Sequence, residues 1–421
     1  MVEKRNPIPI GEAVQKIMEV AIKGETELVP ISDSYDRFLS KDITATNDVP
    51  PFDRSPYDGF AVRAIDTANA SQTNPIRLEV IDTIGAGFVT EKQVNDNQAV
   101  RIMTGAILPD ECDAVVMLEL VKEEEFNGKN YIRINRSYQK GENVSFRGED
   151  AKEGQILIPK GTQINPGVQA LLATFGYEQV PVAKKPVIGL FATGTELLEV
   201  GDPLIPGKIR NSNSHMICAQ IERAGGKAIY FGKLPDDIDV CFEAIKDAVE
   251  KVDLLITTGG VSVGDFDYLP AIYEKLGAQV LFNKVRMRPG SVTTVAAYHG
   301  KHLFGLSGNP SACYVGFELF ARPVIRKLLF SPRPHLKKEK AILVEDFPKA
   351  NPFTRLVRGR LSIREGHLEA SPTGVDKSNI VTSLAAANCF IVLPGGTRGY
   401  RCGDEVEIFL IEDQEGNEWP W

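Results

Sequence analysis

The sequence contains no CxxC pair, no H-x-x-x-H pair, no long apolar run and no cluster of Lys and Arg, and each absence removes a class of function. Its six cysteines, Cys112, Cys218, Cys241, Cys313, Cys389 and Cys402, are scattered and mostly sit in apolar runs, which suits buried reduced thiols rather than a disulfide frame or a zinc site. Five histidines without paired spacing argue against a zinc hydrolase. No stretch reaches the ~18 apolar residues of a membrane span. The start, MVEKRNPIPIGEAVQ, has no apolar signal-peptide core, so the cytoplasm is the expected compartment. A net charge of −8 without a basic patch disfavours nucleic acid as a partner. It does not disfavour an anionic small molecule, because local amides and a few cations decide that.

What is present is the balance of a multidomain globular chain: 421 residues, 43% hydrophobic and 25% charged, enough for about three or four domains. Residues 1–47 read as a helix over 10–23 followed by a short connection. Residues 48–60, VPPFDRSPYDGF after its first residues, are extended and end in a turn. Residues 61–145 carry short apolar runs (IRLEVIDTIG, QAVRIM, DAVVMLELV, NYIRI) separated by Gly, Asn and Asp, the pattern of a β-rich domain. In 146–180, Asn165-Pro166 opens a helix that ends at Gly176. Strands and helices alternate over 187–328, which predicts a doubly wound, mostly parallel sheet with helices on both faces. Residues 335–421 return to short strands and predict a small β-barrel or sandwich, the barrel being the expectation. The expected domains are therefore 1–47 with 146–180, an insertion over 48–145, an α/β domain over 181–330 and a barrel over 335–421.

Ligands bind at strand C-termini in such α/β folds, and the glycine-rich motifs cluster there. The strongest runs from Thr258 through Gly259, Gly260, Ser262, Gly264 and Asp265 to Asp267. An apolar strand enters a Gly-Gly loop and then a helix, so backbone amides and a helix N-terminus can cradle an anion. Two carboxylates beside a phosphate imply a divalent cation such as Mg²⁺. Without a ligand, the same pattern is a tight turn with a capping Asp. Thr193-Gly194-Thr-Glu196 forms a second Gly turn, and Ser307-Gly308-Asn309-Pro310 a third. Asp236-Asp237 starts a helix and is either a cap or a metal ligand. Lys284, Arg286 and Arg288 alternate along one face of an extended segment, suited to a tetrahedral oxyanion or simply to solvent. Together these loops point to a site for a phosphorylated anionic small molecule with a divalent metal.

These segments, with PPFDRSPYDGFAVR, RIMTGAILPDECDAVV, RGEDAKEGQ and the tail motif Thr373-Gly-Val-Asp-Lys-Ser378, resemble in content and order the MoeA and gephyrin E-domain family. The resemblance covers nearly the whole chain. It implies an elongated homodimer of four domains that inserts molybdenum from molybdate into adenylylated molybdopterin with Mg²⁺, releasing AMP. It also implies Glu196, Asp236 and Asp267 as metal ligands, with Lys284 and Arg288 in the catalytic centre. Thr193, Gly194, Thr258, Gly259, Gly260, Ser262, Gly264, Ser307, Gly308 and Asn309 would bind substrate. Asp58 and Thr104 would complete the cleft from the partner subunit, and Arg288, Pro289, Arg358 and Ser378 would hold molybdate.

The chain departs from the family where K-P-G-K becomes Arg288-Pro-Gly-Ser291, exchanging a point charge for a planar fork and losing one cation, and where P-G-N-P becomes Ser307-Gly-Asn-Pro310. A molybdopterin adenylyltransferase or a CinA-like nucleotide hydrolase would share the TTGG loop but not the β-rich flanks. An adenylyltransferase protein is one conceivable partner, and a receptor-anchoring scaffold of the gephyrin kind is the alternative of another class.

Overall fold

The computed structural model describes residues 6–20, 22–235, 237–260, 269–349, 351–412 and 416–421. The chain forms two compact units, one of Met1–Lys41, Lys160–Gln169 and Gln179–Trp421, the other of Asp42–Pro159 and Ala170–Glu178.

The second unit holds a six-stranded sheet. Gly59–Val62 pairs antiparallel with Gln98–Ile102 and with Ala114–Met117, and Ile76–Ile84 links Gln98–Ile102 to the outer pair Lys129–Ile134 and Val121–Phe126. Both faces are covered: Phe60, Val62 and Leu78 pack in one cluster, Ala61, Val100 and Val115 in another. Two of these strands are absent from the sequence expectation. Gly59–Val62 follows directly on the proline-rich segment, and Val121–Phe126 is a charged edge strand (VKEEEF) with no buried residue, so neither shows a strand-like apolar alternation.

In the first unit an N-terminal helix, Ile10–Glu19, buries Ile10, Ala13, Val14 and Ile17 on one stripe. The helix expected over 10–23 stops earlier, with Val20 already extended. The α/β sheet comprises β1 (Val187–Thr193), β2 (Lys227–Leu234), β3 (Leu254–Thr258), β4 (Gln279–Phe282), β5 (Thr294–Tyr298) and β6 (Lys301–Leu306), in the order β2-β1-β3-β6-β5-β4. The first four strands in that order are parallel, while β5 and β4 are antiparallel additions. The sheet is thus doubly wound and mostly parallel. Ile188, Leu190, Leu254, Ile256 and Phe304 face one cluster, shared with helix Asn213–Ala224 and the long helix from Pro310 to Leu328. Phe191, Leu255 and Leu303 face another, with helices Ile238–Glu250 and Leu269–Leu276.

The C-terminal strands β7 (Lys337–Leu343), β8 (Thr354–Arg364), β9 (His367–Pro372), β10 (Cys389–Leu393) and β11 (Glu405–Leu410) pair in the ring β8-β9-β7-β11-β10-β8. The ring closes through a two-residue parallel pairing of β7 with β9, so each strand has a neighbour on both sides, and Leu343, Val357, Ala370, Ile391 and Ile408 fill the barrel. A two-residue strand from the α/β domain, Met287–Arg288, adds in parallel to the start of β8. Cys112, Cys241, Cys313 and Cys389 are buried free thiols, whereas Cys402 is exposed. Among the described residues, no helix is long and apolar enough to cross a membrane.

Candidate functional site

The strand order reverses between β1 and β3: the chain leaves β1 for β2 on one side and returns to β3 on the other. A crevice opens at such a point because the two following loops diverge. Here the strand ends are stitched together. Thr193 Oγ1 donates to the Thr258 carbonyl at 3.1 Å, and Gly259 N donates to the Leu306 carbonyl at 2.9 Å. Gly259 has φ +88°, and a Cβ there would lie 2.6 Å from Thr193 Oγ1. Only glycine permits both the backbone geometry and this approach. The loop after β6 lies against the same residue, with the direction of a Gly308 Cβ 3.5 Å from Gly259 Cα. Asn213 Nδ2 ties that loop to the next helix by donating to the Gly308 carbonyl at 2.8 Å.

Two helices begin here, Asn213–Ala224 and the one starting at Pro310, and neither Ser212 nor Asn309 caps its helix with a side-chain bond. Ser214 N already donates to Asn211 Oδ1 at 3.2 Å and Ser311 N to the Ser378 carbonyl at 3.0 Å, so what these helix starts offer an anion is chiefly their partial positive charge. A cleft of about 620 Å³ is lined by Glu196, Gly259, Gly260, Arg288, Pro289, Ser307, Gly308, Asn309, Arg355, Lys377 and Ser378, with others. A second chamber of about 390 Å³ shares Glu196, Gly308 and Asn309 and adds Thr193, Thr258, Asn211, Ser212 and Asn213.

The cationic wall comes from two domains. Arg288 and Arg355 are neighbours in the parallel bridge between Met287–Arg288 and β8. Arg355 Nη1 donates to Asp376 Oδ2, while its buried Nε has no hydrogen-bond partner. Arg288 and Lys377 have no carboxylate partner among the described residues. The loop carrying Lys377 and Ser378 is moored to the helix beginning at Pro310: Ser311 N donates to the Ser378 carbonyl at 3.0 Å, and Ser311 Oγ to the Ile380 carbonyl at 2.7 Å.

The structure therefore brings together Glu196, Thr193, Thr258, Gly259, Gly260, Arg288, Pro289, Ser307, Gly308, Asn309 and Ser378. Gly194 sits between Thr193 and Glu196 with φ +129°. Lys284 is not among the residues that line either chamber; its backbone carbonyl accepts from Ile8 N at 3.1 Å. The alternation over 284–288 holds, with Val285 and Met287 buried, but Arg286 Nε donates to the Pro7 carbonyl at 3.0 Å, leaving Arg288 alone at the cleft. Arg358 departs from its expected place. It is 1% exposed and donates to Asp376 Oδ1 at 2.9 Å and to the Val375 and Lys377 carbonyls at 3.2 Å each. Its guanidinium thus braces the loop instead of lining the cavity, and burial lowers its pKa against the opposing pull of Asp376.

Asp58 and Thr104, in the other unit, form one exposed pair: Thr104 N and Oγ1 both donate to Asp58 Oδ1, at 2.7 and 2.9 Å, and hold the carboxyl below its usual range. Asp236, Ser262, Gly264, Asp265 and Asp267 lie outside the described residues. Asp237 is the helix cap of the Asp-Asp pair, accepting from Asp239 N and Val240 N. Among the described residues, no group of three His, Cys, Asp or Glu gathers to hold a metal; Glu196, exposed at the cleft wall, is the described member of the expected triad. Sequence reasoning missed Arg355, Lys377 and the Asn211-Ser212-Asn213 turn. Arg355 and Arg358 are three apart on one strand and so project to opposite faces, a signal that one of them must be turned away.

Family descriptions match three consecutive stretches: the MoeA N-terminal region (domain I and II) over residues 8–176, the probable molybdopterin binding domain over 189–327, and the MoeA C-terminal region (domain IV) over 340–411. The chain is 61% identical over 421 residues to the molybdopterin molybdenumtransferase of Bacillus subtilis, covering 100% of this chain and 98% of that one. It is 49% identical over 418 residues to the protein of the same name from Staphylococcus aureus, covering 99% of each. The crystal structure of the molybdopterin biosynthesis MoeA protein from Pyrococcus horikoshii superposes with a TM-score of 0.85 at 31% identity, covering 97% of this chain and 100% of that one. By domain content, full-length identity and fold, the chain belongs to the MoeA family, the molybdopterin molybdenumtransferases.

Proposed function

We propose that this protein inserts molybdenum from molybdate into adenylylated molybdopterin, with release of AMP. The observation that carries this reading is the juxtaposition of Arg288 with Arg355 on the wall of a cleft that the strand-end loops at 259–260 and 307–309 also line. Paired guanidinium forks match the oxygens of a tetrahedral dianion, and the amides of 258–260 and 307–309 match a phosphate. In this reading Arg288, Lys377 and Ser378 hold molybdate, and Ser307, Gly308 and Asn309 orient the phosphate end of the pterin. Glu196 would hold Mg²⁺ together with Asp236 and Asp267, where a divalent cation would polarise the phosphoanhydride. A homodimer in the cytoplasm, with Asp58 and Thr104 completing the cleft of the other subunit, belongs to the same reading, as does an adenylyltransferase supplying the substrate.

The test is a purified assay with molybdate, Mg²⁺ and adenylylated molybdopterin, following AMP release and pterin-bound molybdenum. Wild type is expected to produce both in equal amounts. Asp267→Ala is expected to abolish molybdenum insertion while leaving molybdopterin bound. Unchanged turnover in that variant would overturn the metal assignment, and no AMP release by wild type would overturn the function.

A further inference from the structure

We infer that Asp376 is a positioning residue for the bound oxyanion; this rests on the molybdate reading above. Its side chain is 7% exposed, and its two oxygens serve two different arginines. Oδ2 accepts from Arg355 Nη1, on the cleft wall, and Oδ1 accepts from Arg358 Nη1 at 2.9 Å, behind it. Lys349 Nζ lies 3.8 Å from Oδ2 and donates to the Asp376 carbonyl at 3.3 Å. Arg358, oriented in this way, uses Nη2 on the carbonyls of Val375 and Lys377, the residues on either side of Asp376, and Nε on Ser383 Oγ at 3.3 Å. One carboxylate therefore aims the Arg355 fork and, through Arg358, sets the backbone that presents Lys377 and Ser378 to the cavity.

Charge and geometry make opposite predictions for this residue. Arg288, Arg355, Lys377 and Asp376 itself all line the cleft, and Asp376 is the carboxylate that holds Arg355. By charge alone, neutralising it would strengthen binding of a dianion. By geometry, neutralising or lengthening it frees the Arg355 fork and slackens the loop, and a fork held out of register loses its paired hydrogen bonds. The bonds converging on Asp376 from two arginines of β8, one on each face of that strand, favour geometry.

The experiment measures molybdate binding calorimetrically, without turnover, alongside steady-state kinetics. Asp376→Glu keeps the charge and moves the carboxylate, whereas Asp376→Asn removes the charge. Both are expected to weaken molybdate binding about tenfold, with the maximal rate at saturating molybdate changed less than about twofold. Tighter binding by Asp376→Asn would overturn the proposal in favour of charge. Unchanged affinity in Asp376→Glu, with only a lower melting temperature, would reduce Asp376 to a structural ion pair. Should Asp376→Asn fail to fold, Asp376→Glu decides alone. Wild type that does not bind molybdate overturns this proposal, whereas wild type that binds molybdate without transferring it overturns the function and leaves the positioning role to the binding measurement.

Discussion

Arg288 and Arg355, 67 residues apart in sequence, are register partners in a parallel bridge that joins the α/β domain to the C-terminal barrel. Two guanidinium groups on adjacent strands repel unless an anion lies between them or beside them. Asp376 takes only Nη1 of Arg355, which leaves the rest of that fork, with Arg288, for ligand. Arg288→Ala and Arg355→Ala are each expected to raise the half-saturating molybdate concentration by about 10- to 100-fold, from the roughly 1.5–3 kcal/mol of a hydrogen bond to a charged group. The double variant should fall short of the product of the single effects, because the two forks share one ligand. Kinetics at varied molybdate check this; an unaltered half-saturation in both single variants would refute it.

The contact between Gly259 and Thr193 limits what the TTGG loop tolerates. Gly259→Ala places a methyl 2.6 Å from Thr193 Oγ1 and 2.9 Å from its carbonyl oxygen, at φ +88°. The expected outcome is a destabilisation of roughly 1–3 kcal/mol in urea unfolding, together with loss of turnover. Thr193→Ser retains the hydroxyl donor to Thr258 and is expected to remain active.

Glu196 carries its own expectation. Glu196→Gln keeps the size and shape of the side chain but removes the charge that attracts a cation. The half-saturating Mg²⁺ should rise about tenfold or more, with the affinity for molybdopterin nearly unchanged. An identical Mg²⁺ dependence would remove Glu196 from the metal set.

Stability should fall with acidity through a buried histidine remote from the chemistry. Burial, aided by Arg322, pushes the His335 imidazole down to about 4, and its ring meets Trp419 edge-on at 5.5 Å. Because the folded value lies below the unfolded one of about 6.5, the unfolded chain binds more protons in between. Stability is therefore complete above about pH 6.5, declines as pH falls, and has lost up to about 3 kcal/mol below about pH 4. Denaturant melts between these limits measure the slope, and His335→Gln should flatten it. His302, lowered chiefly by burial, adds in the same direction.

The sequence by itself determined the kind of architecture and the chemistry of its loops. Apolar runs ending in Thr258-Gly-Gly, Thr193-Gly and Ser307-Gly read as strand ends opening into loops, because a glycine turn after a buried strand is a local feature with a local cause. The barrel was equally legible, since each of its strands carries its own run of apolar or alternating residues. The charged edge strand Val121–Phe126 was not, because a strand with little to bury has little periodicity to show.

Tertiary structure alone decided which cations share one wall of the cleft. Arg288, Arg355 and Lys377 come from separate segments, and only the pairing of Met287–Arg288 with β8, and the mooring of the 378–380 carbonyls to Ser311, bring them to one wall. Arg358, from the same strand as Arg355, points the other way and braces the loop. Which of the two arginines faces the cleft is fixed by strand parity and by the partner that braces the other, and that partner, Asp376, is 18 residues beyond Arg358 along the chain.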